Sequence, residues 1–144
     1  MTVSAVGELA VLADHPDVIG IGVDLVQVAR MRAVMDRTPR FVERVLAVDE
    51  RTYCEAQAAP EQHVAARFAA KEAVVKVLGT GLFSVALADI EVVRGSNGEP
   101  SMELGGSAAA MAERLGIGRW MVSLTHTDEV AGAFVVALGS RERS

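Results

Sequence analysis

From Pro60 to Leu78 the chain runs for the length of a long helix with alanine or aliphatic residues on almost every side. Pro60 suits a first helical position and Gly79 suits a terminator, so the sequence predicts one helix between them. On a helical wheel Val64, Phe68, Val75 and Leu78 form one stripe. Ala65, Ala66, Ala69, Ala70, Ala73 and Val77 cover most of the remaining surface. A helix that is apolar nearly all round is a buried helix, so the rest of the fold has to wrap it. Its charges fall into two narrow ribbons, Arg67 with Lys71 and Glu72 with Lys76. Glu72 and Lys76 could form an ordinary i,i+4 surface pair. On a helix otherwise this apolar, the ionic groups are expected to project into a cleft.

The 144 residues suffice for one domain with a real core, and 51% hydrophobic with 23% charged residues marks a globular chain. Aromatic residues make up only 4%, so that core must be aliphatic and alanine. No apolar run approaches the roughly 18 residues of a membrane span. Met1 to Ala13 has no basic residue ahead of its apolar stretch, which argues against a secretory signal. A lone cysteine, Cys54, leaves no intramolecular disulfide, fits a cytoplasmic protein, and reads as a small buried hydrophobe.

Around the long helix, Val18 to Val23 reads as a short buried strand with Asp24 at its end, and Leu25, Val28, Met31 and Met35 follow at helical spacing. Thr38-Pro39 predicts a capped start to a second short helix. Asp89 to Arg94 and Ser101 to Leu104 read as a hairpin about Asn97-Gly98. A helix over Ser107 to Leu115 precedes strands at Arg119 to Thr125 and Ala131 to Leu138. Trp120, Val122, Leu124 and His126 alternate onto one face, with Ser123 and Thr125 on the other. The class is α+β, with residues 18–140 as a single domain, residues 1–17 as an N-terminal extension, and both chain ends frayed.

Charge is unevenly distributed. Arg30, Arg32, Arg37, Arg40 and Arg44 against Asp36 and Glu43 give a local +3 in a chain of net −5, so the remainder carries −8. Such a patch suits an acidic partner without making the molecule a nucleic-acid binder; a solvated helix face is the alternative. Of the 14 basic residues only Lys71 and Lys76 are lysine. Their survival suggests that an ammonium, a compact point charge, is needed at both places.

Against apolar surroundings, Asp24, Lys71, Glu72, Lys76, Gly79-Thr80-Gly81 and His126 stand out. Two carboxylates, two ammonium groups and a glycine-rich helix end suit a Mg²⁺–phosphate site. Spacing alone does not bring Asp24 to Glu72, and Asp24 is placed equally well for a helix N-cap. Gly79 is as natural a C-cap as a phosphate contact, and His126 as natural a structural histidine as a ligand. Scattered histidines with one cysteine disfavour zinc. A serine-nucleophile elbow, a Walker A loop and a dinucleotide fingerprint are all absent.

Gly20-Ile-Gly-Val-Asp24, Phe68-Ala-Ala-Lys-Glu-Ala73 with Lys76 and Gly79-Thr-Gly81, Asp89-Ile-Glu91, Asn97-Gly-Glu-Pro100 and Ser123-Leu-Thr-His-Thr127 stand in this order. Together they resemble the holo-acyl-carrier-protein synthase family of the 4′-phosphopantetheinyl transferase superfamily, over about Val18 to Leu138. The resemblance implies an antiparallel sheet packed with a long buried helix, usually a homotrimer with each active site at a subunit interface. It implies Mg²⁺-dependent transfer of phosphopantetheine from coenzyme A to a serine of an acyl carrier protein, in support of fatty acid biosynthesis. Nucleic acid and membrane are not implied as partners. By position, Asp24 and Glu72 resemble the Mg²⁺ ligands, and Glu72, Lys76 and Asp24 the catalytic set. Arg67, Lys71, Lys76, Gly79, Thr80 and His126 fall where the family contacts coenzyme A. Arg30, Arg37, Arg40 and Arg44 align with the basic helix region that receives the carrier. There are departures: Gln27 where a glutamate is common, Ala47-Val-Asp-Glu50 for a threonine-rich helix start, and a longer stretch before Val18. Two readings from other classes are a silent carrier-binding module and a Mg²⁺-dependent pyrophosphatase. Intact Asp24, Glu72 and Lys76 weigh against the first, and the arginine segment weighs against the second.

Overall fold

The computed structural model describes residues 17–81 and 84–140, so the expected fraying of residues 1–16 and 141–144 lies outside the described residues. Strands β1 (Val18–Gln27), β4 (Ile117–His126) and β5 (Val130–Gly139) form an antiparallel sheet in the order β1-β5-β4. Strands β2 (Ile90–Arg94) and β3 (Pro100–Leu104) form a separate hairpin. Helices α1 (Val28–Arg37), α2 (Phe41–Val45), α3 (Val48–Glu55) and α4 (Pro60–Leu78) follow β1, and α5 (Gly106–Arg114) links the hairpin to β4. This is the α+β class expected from the sequence.

Helix α4 occupies the predicted interval and lies across β1 and β5. Val64, Ala65, Ala66, Ala69, Ala70, Ala73, Val74, Val75 and Leu78 are all buried, as a helix without a polar face must be. Gly79 ends it in the left-handed region at φ 71°, with its N–H donating to Val75 O and Lys76 O. Small residues on the helix let the sheet come close. A Cβ on Gly22 of β1 would run into the carbonyl oxygen of Ala73, and one on Gly20 would sit 3.0 Å from Val77 Cγ1. Facing the helix from β5 are Ala131, Ala133, Val135 and Ala137.

Three sequence expectations change. Strand β1 continues through Asp24 to Gln27, because Asp24, Leu25, Val26 and Gln27 pair with Ala133, Gly132, Ala131 and Val130. The helical spacing that includes Leu25 is therefore real only from Val28, and Asp24 is no N-cap. Thr38-Pro39 does not open the second helix: Thr38 closes α1 by donating its N–H to Val34 O, and α2 begins at Phe41. The first hairpin strand starts one residue later than Asp89, which ends a 3₁₀ turn over Leu87–Asp89. The remaining elements match to within two residues at either end, which is ordinary uncertainty for helix and strand termini.

Candidate active site

The close approach of β1 to α4 brings the two motif carboxylates together. Lys76 Nζ donates to Asp24 Oδ1 at 2.9 Å and to Val23 O at 3.0 Å. One helical turn before Lys76, Glu72 lies close enough to Asp24 for the two carboxylates to act on each other. Its carboxyl is pushed up to about 7, first by burial and then by the charge and hydrogen bond of Asp24, with Lys76 pulling the other way. Asp24 Oδ2 is buried and has no hydrogen-bond partner. An orphaned carboxylate oxygen costs free energy unless something positive completes it. Two carboxylates against one ammonium, with that oxygen unused, fit a hard divalent cation such as Mg²⁺, which needs few protein ligands.

Glu72 also lines a groove of about 730 Å³ formed by the end of β1 with α1, α2 and α4. Leu25, Met31, Val34, Phe41 and Phe68 make its walls apolar, and Arg30 is among its polar lining. Arg30, Arg37, Arg40 and Arg44 are exposed, and none of the four has an ion-pair partner among the described residues. Arg32 alone of that segment is paired, with Glu61 at 3.2 Å.

A second polar cluster lies around Tyr53. The guanidinium carbons of Arg67 and Arg94 stand 4.5 and 4.1 Å from the centre of its ring. His63 meets Tyr53 edge-on at 5.6 Å, and His126 lies 5.0 Å from His63 between ring centres. Arg67 is only 4% exposed; its Nη1 donates to His63 O at 3.4 Å and its Nε has no partner. Burial, and then the positive charges of His126, Arg67 and Arg94, hold His63 below its usual value. No carboxylate forms an ion pair with these groups among the described residues. The arrangement is an anion site in waiting. Sequence reading found Arg67 and His126 but missed Tyr53, His63 and Arg94. The spacing of His63 four residues before Arg67 on α4 was the available signal; Arg94 and Tyr53 come from elements whose packing no spacing reveals.

Lys71 is the correction. It is 0% exposed, with its ammonium enclosed by the core. Its ammonium donates to Glu50 Oε1 at 2.7 Å, to Leu87 O at 2.9 Å and to Ile90 O. All three N–H groups are used, so none remains for coenzyme A. Burial pulls its affinity for a proton down, and the Glu50 carboxylate works against that pull. The expectation that both lysines need an ammonium survives with a different reason for Lys71: three acceptors converge on one small charge, which a planar guanidinium would not match. Thr80 is half-buried and Gly79 and Gly81 are exposed just beyond α4.

The profile of the 4′-phosphopantetheinyl transferase superfamily matches residues 20–135. The holo-[acyl-carrier-protein] synthase of Desulforudis audaxviator is 45% identical over 126 residues, 87% of this chain and 96% of that protein. The same enzyme of Frankia casuarinae is 49% identical over 120 residues, 83% of this chain and 97% of its own. The crystal structure of Helicobacter pylori holo-[acyl-carrier-protein] synthase in complex with coenzyme A superposes with a TM-score of 0.71 at 28% identity, covering 82% of this chain and 99% of that one. With the Asp24–Glu72–Lys76 constellation in place on that fold, the chain belongs to the 4′-phosphopantetheinyl transferase superfamily, as an enzyme of the holo-[acyl-carrier-protein] synthase type.

Proposed function

We propose that this enzyme moves 4′-phosphopantetheine from coenzyme A to a serine hydroxyl of an apo acyl carrier protein, with Mg²⁺, in service of fatty acid biosynthesis. The observation that carries the reading is the meeting of Asp24 with Lys76 and Glu72, the last of which lines the groove, with Asp24 Oδ2 buried and unpartnered. Asp24 and Glu72 would hold the cation. When bound, Mg²⁺ supplies charge neutralisation for the pyrophosphate oxygens. Lys76, exposed and already aimed at Asp24, stabilises charge on the leaving oxygen. The serine oxygen forms a bond to the β-phosphorus while the bond from that phosphorus to the bridging oxygen breaks, releasing adenosine 3′,5′-bisphosphate. Glu72 on the groove wall takes the serine proton.

Arg67 and His126, with Gly79 and Thr80, would contact coenzyme A, and the cationic cluster around Tyr53 offers a place for an anionic group of the nucleotide. Arg30, Arg37, Arg40 and Arg44, exposed along α1, its connection to α2 and α2 itself, with Arg30 at the groove, would receive the acidic carrier. The enzyme would act in the cytoplasm as a homotrimer. The sheet face turned away from α4 supports that assembly: Val23, Leu25 and Met121 are exposed on it, Leu25 at 69% and Met121 at 61%.

Incubation with coenzyme A, Mg²⁺ and an apo carrier protein tests the reading. Carrier mass should rise by one phosphopantetheine only when all three are present. Release of free phosphopantetheine without carrier modification would mark a hydrolase instead, and no reaction at all would mark a silent binding module.

A further inference from the structure

Three contacts link α1, α4 and the turn between β4 and β5 into a closed ring. On the first turn of α4, Glu61 Oε1 accepts from Arg32 Nη2 of α1 at 3.2 Å, and Gln62 Nε2 donates to Asp128 Oδ1 of the turn at 3.1 Å. The turn reaches back to α1, where Glu129 O accepts the N–H of Val28, the first residue of that helix, at 2.9 Å. A helix cannot satisfy its own first N–H groups, and Gln27 offers α1 no side-chain cap. Thr127 fixes the shape of the turn, its hydroxyl accepting from Glu129 N and Val130 N, both at 3.1 Å.

The same three pieces wall the groove. Arg30, Met31 and Val34 come from α1, Phe68 and Glu72 from α4, and Val130 follows the turn directly. Val28 and Met31 bury the inner side of α1, but apolar packing is non-directional and tolerates a small slide of the helix. Hydrogen bonds are directional, so the ring selects one placement of α1 against α4. A single exposed ion pair such as Arg32–Glu61 adds little to stability. Its use is positional, because Glu61 and the adjacent Gln62 grip two different elements from one rigid helical turn. We infer that Glu61 and Gln62 are positioning residues, which hold α1 and the β4–β5 turn against α4 so that a carrier docked on the arginines of α1 brings its serine to Glu72 and Asp24. This rests on the carrier reading above. In-line attack needs the reacting atoms placed closely, so a small drift of the docking helix is felt in the reaction with the carrier.

Transfer kinetics and amide hydrogen exchange on the full-length enzyme test the inference, with wild type set against a variant carrying both Glu61→Ala and Gln62→Ala. Removing Glu61 leaves one more uncompensated positive charge beside the arginines. If α1 worked by charge alone, KM for an acidic carrier would fall or hold. Positioning predicts the opposite sign: KM for the carrier should rise about fivefold, KM for coenzyme A should stay as it is, and exchange at the Val28 amide should quicken. A carrier KM that falls or holds, an equal rise for both substrates, or unchanged exchange at Val28 each overturns the inference. If the double variant does not fold, Gln62→Ala, which alters no charge, decides alone by the same signature. A further variant carrying Arg37→Glu and Arg40→Glu separates the two possible failures. If it leaves KM for the carrier unchanged, the docking reading falls and the inference with it. If it raises that KM while the α4 variant does not, the positioning role alone is wrong.

Discussion

Glu72 combines two features that set its behaviour with pH: partial burial and a second carboxylate, Asp24, close by. Its folded value of about 7 stands above the ordinary 4.5, so between the two the folded chain holds a proton that the unfolded chain has released. Stability from this group is present below the unfolded value and is lost as pH rises through the folded one. Thermal melts of the metal-free protein should therefore drop between about pH 5 and 8, and Glu72→Gln should flatten that drop. Mg²⁺ must compete with the same proton, so the rise in melting temperature on adding Mg²⁺ should grow across the same interval. A Mg²⁺ effect independent of pH would separate Glu72 from the cation. In assays of transfer, Glu72→Gln and Asp24→Asn should each leave a folded protein with less than about a tenth of the wild-type rate, because each halves the carboxylate charge facing the phosphates. A well-folded variant above that level is not altered at a metal ligand.

Helix α4 and strand β1 act as one element pair, and glycine makes the pair possible. The missing Cβ at Gly22 lets the strand backbone rest on Ala73, immediately beside Glu72, and Asp24 follows two residues later on the same face. Gly22→Ala should push the strand off the helix. Overpacking of this kind typically costs about 1–3 kcal/mol, visible as a lower urea midpoint. Activity should fall further than stability, since Asp24 moves away from Lys76 and Glu72 while every reacting side chain remains present. Full activity in a Gly22→Ala enzyme would mean that the close contact is only packing. The Glu50–Lys71 pair operates at the same scale on the other flank of α4, where it joins α3 and β2 instead of β1.

Across the whole molecule, charge and apolar surface are segregated in a way that a net value of −5 conceals. The unpaired arginines of α1 and its connection to α2 should attract an acidic carrier over a range limited by a Debye length of about 8 Å at physiological salt. Reversing Arg37 and Arg40 to glutamate should raise KM for the carrier by roughly tenfold, leave KM for coenzyme A unchanged, and narrow the gap to wild type as salt is added. Parallel loss of both substrates would place the arginines at the nucleotide instead. The uncovered sheet face makes a separate claim. If the proposed homotrimer forms through it, Met121→Asp should shift the mass measured by light scattering from three chains toward one and lower activity with it; an unchanged mass would exclude that face as the contact.

Much of this protein was determined locally. Proline at one end, glycine at the other and alanine between fixed α4 and required its burial, because helix ends and apolar faces obey short-range rules. The order of motifs carried the family, and with it Asp24, Glu72 and Lys76 as the residues of interest. What tertiary structure decided was where each charge ended up. Arg67 and Lys71 share one ribbon of α4, yet Arg67 turned to an aromatic ring with an unpaired Nε, and Lys71 turned into the core to meet Glu50. Nothing within the helix distinguishes them; the difference lies in α3 and β2, which reach those positions from distant sequence. Asp24 likewise looked like a cap at the close of an apolar run, until pairing with β5 carried the strand past it to Gln27. Pairing of that kind depends on a partner more than a hundred residues away, which a local pattern does not contain.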